Sequence, residues 1–135
     1  MHKKILIVDD YESICNSLAM LFREDGYLVD NTSDSSEAAL LIKKNRYDAC
    51  VFDYKMKPLT GIDLLKMVKN KDPGCAVFIV SGVLSIELIS ADKNVVSLAT
   101  GLITKPFDVE ELLKKVAAVI PSLVPKRCPS KVKKL

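Results

Sequence analysis

Four short apolar runs in this chain end on residues of one chemical kind, groups suited to cations and phosphates. Lys4-Ile5-Leu6-Ile7-Val8 leads into Asp9-Asp10, and Ala49-Cys50-Val51-Phe52 leads into Asp53. Ala76-Val77-Phe78-Ile79-Val80 leads into Ser81, and Leu102-Ile103-Thr104 leads into Lys105. Read as strands of one parallel sheet, all four have C-terminal ends that open on the same edge. Three carboxylates, a hydroxyl and an ammonium then meet in one pocket.

The intervening segments read as helices. The first runs from about Tyr11 to Asp25, with Ile14, Leu18, Leu21 and Phe22 at helical spacing and Gly26 as its stop. Tyr27-Leu28-Val29 begins a further strand. Ser35-Ser36-Glu37 then opens a helix that buries Ala38, Leu41 and Ile42 and ends near Asn45. After Asp53 and the loop Tyr54–Thr60, a helix from Gly61 to Lys71 faces inward with Ile62, Leu65 and Val68, and Asp72-Pro73-Gly74 ends it. A helix over Ser85 to about Lys93 is the expectation for the next segment, whereas Asn94–Thr100 shows no firm periodicity. The last helix is the clearest. Asp108 can cap it, Glu110 and Glu111 suit its positive end, and Val109, Leu112, Leu113, Val116, Ala117 and Ile120 form one stripe that Pro121 terminates.

This alternation predicts an α/β fold, a doubly wound five-stranded parallel sheet with helices on both faces. Right-handed crossovers leave few strand orders. In such sheets ligands bind beyond the C-terminal strand ends, at the switch in strand order.

A length of 135 residues suits one domain. No apolar run approaches the roughly 20 residues that span a bilayer, and the first is shorter than the roughly 7–15-residue core of a secretion signal, so a cytoplasmic protein without membrane association is expected. Cys15, Cys50, Cys75 and Cys128 include no CxxC pair and His2 is the single histidine, which argues against zinc. Cys50, inside an apolar strand, reads as a buried free thiol.

Clustered carboxylates repel one another, and a hard dication resolves the conflict. Magnesium, with manganese as an alternative, takes oxygen ligands and keeps several waters. Asp10 and Asp53 are the candidate direct ligands, with Asp9 acting through a metal-bound water and the backbone carbonyl of Lys55 as a third oxygen. Beside such an ion an aspartate can attack a phosphoryl group to give an acyl phosphate. Asp53, on the central strand, is the candidate acceptor. Lys105 is placed to pair with one phosphoryl oxygen and Ser81 to donate a hydrogen bond to another.

These motifs resemble the receiver domain of two-component response regulators over about residues 3–120. The carrying residues are Ile5-Leu6-Ile7-Val8-Asp9-Asp10, Phe52-Asp53-Tyr54-Lys55-Met56-Lys57-Pro58-Leu59-Thr60-Gly61, Ser81-Gly82 and Thr104-Lys105-Pro106-Phe107. The resemblance implies strand order 2-1-3-4-5, the order that a receiver protein commonly exemplifies. It implies phosphorylation of Asp53 by a sensor histidine kinase or a phosphotransfer protein, Asp9 and Asp10 as the acidic metal pair, Ser81 as the switch hydroxyl and a cis peptide before Pro106. Output is expected through the Ser81 loop and the face of helix 4, strand 5 and helix 5, toward an output partner or an output domain outside this chain. Such a protein catalyses chemistry on itself and is not a turnover enzyme.

The chain departs from the family at three places. Leu102 stands where the family usually has Tyr or Phe, Gly82 follows the switch residue where Ala is common, and 85–100 reads unlike the usual fourth helix. The boundary of the receiver unit is expected near 121. Residues 122–135 form a basic, proline-containing tail or linker carrying Lys126, Arg127, Lys131, Lys133 and Lys134, so the net charge of +3 overlies a globular part of −2. The tail reads as a solvated end or a nonspecific phosphate contact, with no pattern for sequence-specific nucleic-acid binding. Two other readings of the set are a non-phosphorylated protein-interaction module on the same fold and an aspartate-nucleophile phosphatase of the haloacid dehalogenase type. The latter wants Asp-x-Asp, where this chain has Asp53-Tyr54-Lys55.

Overall fold

The computed structural model of the protein describes residues 2–82 and 93–121. Strands β1 (Lys4–Val8), β2 (Leu28–Thr32), β3 (Ala49–Asp53), β4 (Ala76–Ser81) and β5 (Gly101–Thr104) form one parallel sheet in the order β2-β1-β3-β4-β5. The helices are α1 (Glu12–Glu24), α2 (Ser35–Lys44), α3 (Gly61–Lys71), α4 (Lys93–Leu98) and α5 (Val109–Val119). The doubly wound architecture and the strand order are those expected.

Strand residues alternate between the two layers because successive side chains point to opposite faces. Ile5, Ile7, Val51, Phe78, Val80 and Ile103 pack with α1 and α5. Leu6, Val8, Cys50, Phe52, Val77 and Ile79 pack with α2 and α3. Both faces are therefore covered, which is why the central strands read as continuous apolar runs. In α1 the inward face is centred on Cys15, Leu18, Ala19 and Phe22, with Ile14 and Leu21 at its margins. In α3 Leu64 joins Leu65 and Val68 in the core, while Ile62 stays half-buried. The α5 stripe is as expected, except that Ala117 is only half-buried.

Helix termini follow from local chemistry. Gly26, at φ 97°, takes the left-handed conformation after α1. The Asp34 carboxylate accepts from the N–H groups of Ser36 and Glu37, and Asp108 accepts from that of Glu110. Thr60 and Asp63 form a reciprocal capping box on α3. At the other end of α2 the Lys71 ammonium donates to the carbonyls of Ile42, Lys43 and Asn45 at 2.7, 3.0 and 2.8 Å. A cation at a helix C-terminus is favoured by the unpaired carbonyls there.

One segment differs from the sequence reading. Lys93–Leu98 is helical, although Asn94–Thr100 offered no firm periodicity. Six residues are too few for a 3.6-residue period to show in sequence. The helix expected over Ser85 to about Lys93 lies almost wholly outside the described residues, as does the 122–135 tail. Among the described residues no helix is long and apolar enough to cross a membrane.

Gly61 joins the fold to the rim of the sheet. A β-carbon there would lie 2.5 Å from the Asp53 carbonyl oxygen, a backbone atom with no freedom to retreat. Gly61→Ala should therefore lower stability by about 1–3 kcal/mol, read by urea unfolding. At Gly82 a β-carbon meets nothing within 4 Å among the described residues, and the backbone is not left-handed. Gly82→Ala should stay within about 0.5 kcal/mol of the parent. Equal losses at both positions would show that close approach to β3 is not what Gly61 provides.

Candidate functional site

The sheet register brings the four strand ends together. Val8 lies opposite Phe52, so Asp9 follows beside Asp53. Asp53 lies opposite Val80, and Ser81 opposite Thr104, so Ser81 and Lys105 complete the same rim. The Lys105 N–H donates to the Ser81 carbonyl at 2.7 Å, extending the β4–β5 pairing one step past the strand.

The side chains meet as well. Carboxylate oxygens of Asp9, Asp10 and Asp53 all lie within 4.8 Å of one another. The Lys105 ammonium is 3.2 Å from Asp9 Oδ2 and 3.6 Å from Asp53 Oδ1. Asp9 and Asp53 are buried, whereas Asp10 is exposed at the mouth. Asp9 is held from its other oxygen, which accepts the Tyr11 N–H at 2.9 Å. Three carboxylates thus face one ammonium. Burial, then the neighbouring Asp9 carboxylate, push the Asp53 carboxyl up to about 7, with Asp10 adding to the effect; Lys105 opposes the rise without cancelling it.

An excess of hard oxygen donors with uncompensated negative charge suits a small dication. Asp9, Asp10 and Asp53 are the residues that could hold one. Asp10 and Asp53 border an open basin of about 790 Å³ whose lining also includes Lys55, Gly82 and Lys105. Lys55, the residue expected to offer its backbone carbonyl, also lines the basin. Ser81 lies deeper. It is 1% exposed, and its Oγ is one of the buried side-chain atoms with no hydrogen-bond partner among the described residues. A buried hydroxyl without a partner costs about 1–3 kcal/mol, so a missing acceptor is the natural reading of this position.

The loop after β3 is tied down by backbone bonds. Tyr54 N–H donates to the Val80 carbonyl at 2.9 Å, and the N–H groups of Met56 and Gly61 return to the Tyr54 carbonyl at 3.1 and 3.0 Å. The peptide before Pro106 is cis, as the resemblance implied, and so is the one before Pro58, which sequence reading did not foresee. Sequence reading also passed over Tyr11. Its ring centroid lies 6.0 Å from the Lys105 ammonium, and the residue lines the basin. Its position directly after Asp9-Asp10 was the available signal. Leu102 is half-buried against the α2/α3 layer, with Ala99 beside it.

Comparison with known proteins agrees with this geometry. A family model described as the response regulator receiver domain matches residues 5–117. The sporulation initiation phosphotransferase F of Bacillus subtilis is 31% identical over 121 residues, covering 90% of this chain and 96% of that protein. The probable transcriptional regulatory protein TcrX of Mycobacterium tuberculosis is 25% identical over 119 residues, covering 86% of this chain but only 49% of that protein. Among solved structures, a CheY-like receiver domain from Methanospirillum hungatei superposes with a TM-score of 0.79 at 29% identity, covering 87% of this chain and 93% of that one. The chemotaxis response regulator CheY4 of Vibrio cholerae gives 0.77 at 30% identity, covering 88% and 99%. With its parallel sheet, its acidic rim and a family match spanning most of its length, this chain belongs to the response regulator receiver domains.

Proposed function

We propose that Asp53 is the residue that accepts the phosphoryl group, and that Asp9, Asp10, Asp53 and the Lys55 carbonyl hold magnesium or manganese while it does so. The observation that carries this reading is the Lys105 ammonium set between Asp9 and Asp53 within a cluster that also includes Asp10. When bound, the dication neutralises charge on the transferred group. A carboxylate oxygen of Asp53 attacks phosphorus of a phosphohistidine, the phosphorus–nitrogen bond breaks, and an acyl phosphate forms on Asp53. Lys105 exchanges a carboxylate contact for a phosphoryl oxygen. The Ser81 hydroxyl, without a partner beforehand, gains an acceptor.

The donor in this reading is a sensor histidine kinase or a phosphotransfer protein, and the setting is the cytoplasm, where ATP supplies such a donor. The chain then acts as a carrier of phosphate more than as a turnover enzyme. Receiver function resides in 1–121, and 122–135 serves as a basic linker or tail toward an output partner or domain. Modification adds charge and acceptor oxygens at the rim, and differential contacts to Ser81 and Lys105 shift the loop after Ser81 and the α4–β5–α5 face.

Incubation with acetyl phosphate and magnesium should add one phosphoryl group to the intact mass. The gain should vanish when EDTA replaces the metal and in Asp53→Asn. Phosphate appearing on another residue of that variant would remove Asp53 from its assigned role.

Ser81→Ala separates chemistry from folding. The hydroxyl has no partner to lose among the described residues, so unmodified stability should be unchanged or rise by up to about 1 kcal/mol, while the rate of phosphorylation falls. A clear loss of stability would mean that Ser81 already has a structural bond in the unmodified protein.

The acidic cluster also sets a pH dependence. The Asp53 carboxyl stands near 7 in the folded protein against an ordinary 3.8, so the native state binds a proton that the unfolded chain has released. Stability from this group is present below the ordinary value and is lost as pH rises toward about 7. Without metal, Asp53→Asn should raise the Tm, with a gain that grows from pH 4 to pH 7 and levels off above it. At pH 8 the gain should be about 2 kcal/mol or more, and saturating magnesium should reduce it. A gain independent of pH would point away from carboxylate repulsion.

A further inference from the structure

The opposite end of the sheet holds a second reactive arrangement, separate from whatever Asp53 does. Cys50, in β3, and Cys75, immediately before β4, are both buried, with their sulfur atoms 3.8 Å apart. Both face the α2/α3 layer. The third described thiol, Cys15, lies in the other layer, where its sulfur is directed at the carbonyls of Ile7 and Thr32. The pair is therefore isolated from it by the sheet.

The two thiols differ in environment. Cys50 is fully enclosed, and burial, with the bond to Cys75 adding to it, pushes its thiol well above the ordinary value. Cys75 lines a cavity of about 20 Å³ with Ile42, Tyr47, Val68, Lys71 and Asp72, at the edge of the sheet remote from Asp53. That volume holds a molecule of about water size. The Lys69 ammonium sits on the Cys75 carbonyl. The hydrogen bond between the two thiols lowers the pKa of the Cys75 thiol, and Lys69 adds to this, against burial and the Asp72 and Asp48 carboxylates. Cys75 lines the cavity and Cys50 does not, so Cys75 is the sulfur that a small oxidant reaches first and Cys50 the one behind it.

We infer that Cys50 and Cys75 form a dithiol that hydrogen peroxide oxidises to an intramolecular disulfide, with Cys75 attacking and Cys50 resolving. The Cys75 thiolate attacks one peroxide oxygen, the oxygen–oxygen bond breaks, and the leaving oxygen departs as water after taking up a proton. Cys75 is then a sulfenic acid. The Cys50 sulfur displaces its hydroxyl, the sulfur–sulfur bond forms, and the Cys50 proton leaves with the hydroxyl as a second water. Two thiols lose two electrons, the peroxide gains two, and two waters result.

Closure requires a local shift. A disulfide needs sulfur atoms about 2.05 Å apart, against 3.8 Å here. Cys50 lies opposite Val77, two residues beyond Cys75. A rise of about 3.3 Å per residue and a spacing of about 4.8 Å between strands put the two Cα atoms roughly 8 Å apart. The upper limit for a bridge is about 7 Å, so Cys75 must move toward β3. It follows the turn Asp72-Pro73-Gly74 and precedes the first residue of β4, so the bond from its N–H to the Asp72 carbonyl at 3.1 Å is the one that must yield. A disulfide formed at the expense of geometry is readily reduced, which makes the modification reversible.

The test uses the full chain carrying Cys128→Ser, treated with hydrogen peroxide under native conditions and alkylated in denaturant. The expected result is a loss of about 2 Da, two thiols protected from alkylation, a linked peptide pair containing Cys50 and Cys75, and full reversal by dithiothreitol. In the same background Cys50→Ala should leave Cys75 as a sulfenic acid that dimedone captures, and Cys75→Ala should leave Cys50 reduced. Full alkylation of all three thiols after peroxide, or a link through Cys15, would overturn the inference. So would dimedone capture at Cys50 ahead of Cys75. Peptide mapping of the Cys128→Ser chain decides the matter even if the alanine variants do not fold.

Discussion

The repulsion among three carboxylates at one rim of a buried sheet is the constraint around which this protein is organised. Aspartates left to themselves would separate into solvent. Here Asp9 and Asp53 stay together because each follows a strand whose residues are buried on both faces, and the β1–β3 register leaves no room for one to slip past the other. Apolar packing of Leu6, Val8, Phe52 and Ile79 against α2 and α3 thus holds charge in an unfavourable place. Lys105 relieves only part of that cost, and the remaining negative charge leaves a cluster that could hold a cation.

Much of this was legible before any coordinates, for a physical reason. Parallel strands covered on both sides leave long apolar runs, and the residue that breaks each run is the one that reaches the rim. Asp9, Asp53, Ser81 and Lys105 could be read in that way because each interrupts an otherwise uniform stretch. The parity of burial was less visible. Leu64 looked no different from its neighbours, yet it enters the core because α3 starts at Gly61 and its rotation is set by the Thr60–Asp63 cap. Tyr11 escaped notice because its contribution is partly through its backbone, whose N–H holds Asp9, and no periodicity marks a main-chain donor. The helix at Lys93–Leu98 was missed because its apolar pattern is shorter than two turns.

The two ends of β3 and β4 carry different chemistry on shared strands. Asp53 closes one end of β3, and Cys50 lies three residues earlier on the same strand. Ser81 closes β4, whose opposite end begins next to Cys75. The strands themselves are the most enclosed part of the molecule, with Val77, Ile79, Phe52 and Ala49 fully shielded from water. Close packing of that kind transmits displacement better than it absorbs it.

The Lys71 clasp has a mechanical corollary. One ammonium anchored on three carbonyls joins the tail of α2 to the tail of α3, so that flank behaves as a single slab. On the same layer the next helix, α4, is only six residues long and packs against α3, so movement in response to events at the rim has its weakest resistance there. Stiffness at one end of that helical layer thereby gives the molecule a direction in which to signal.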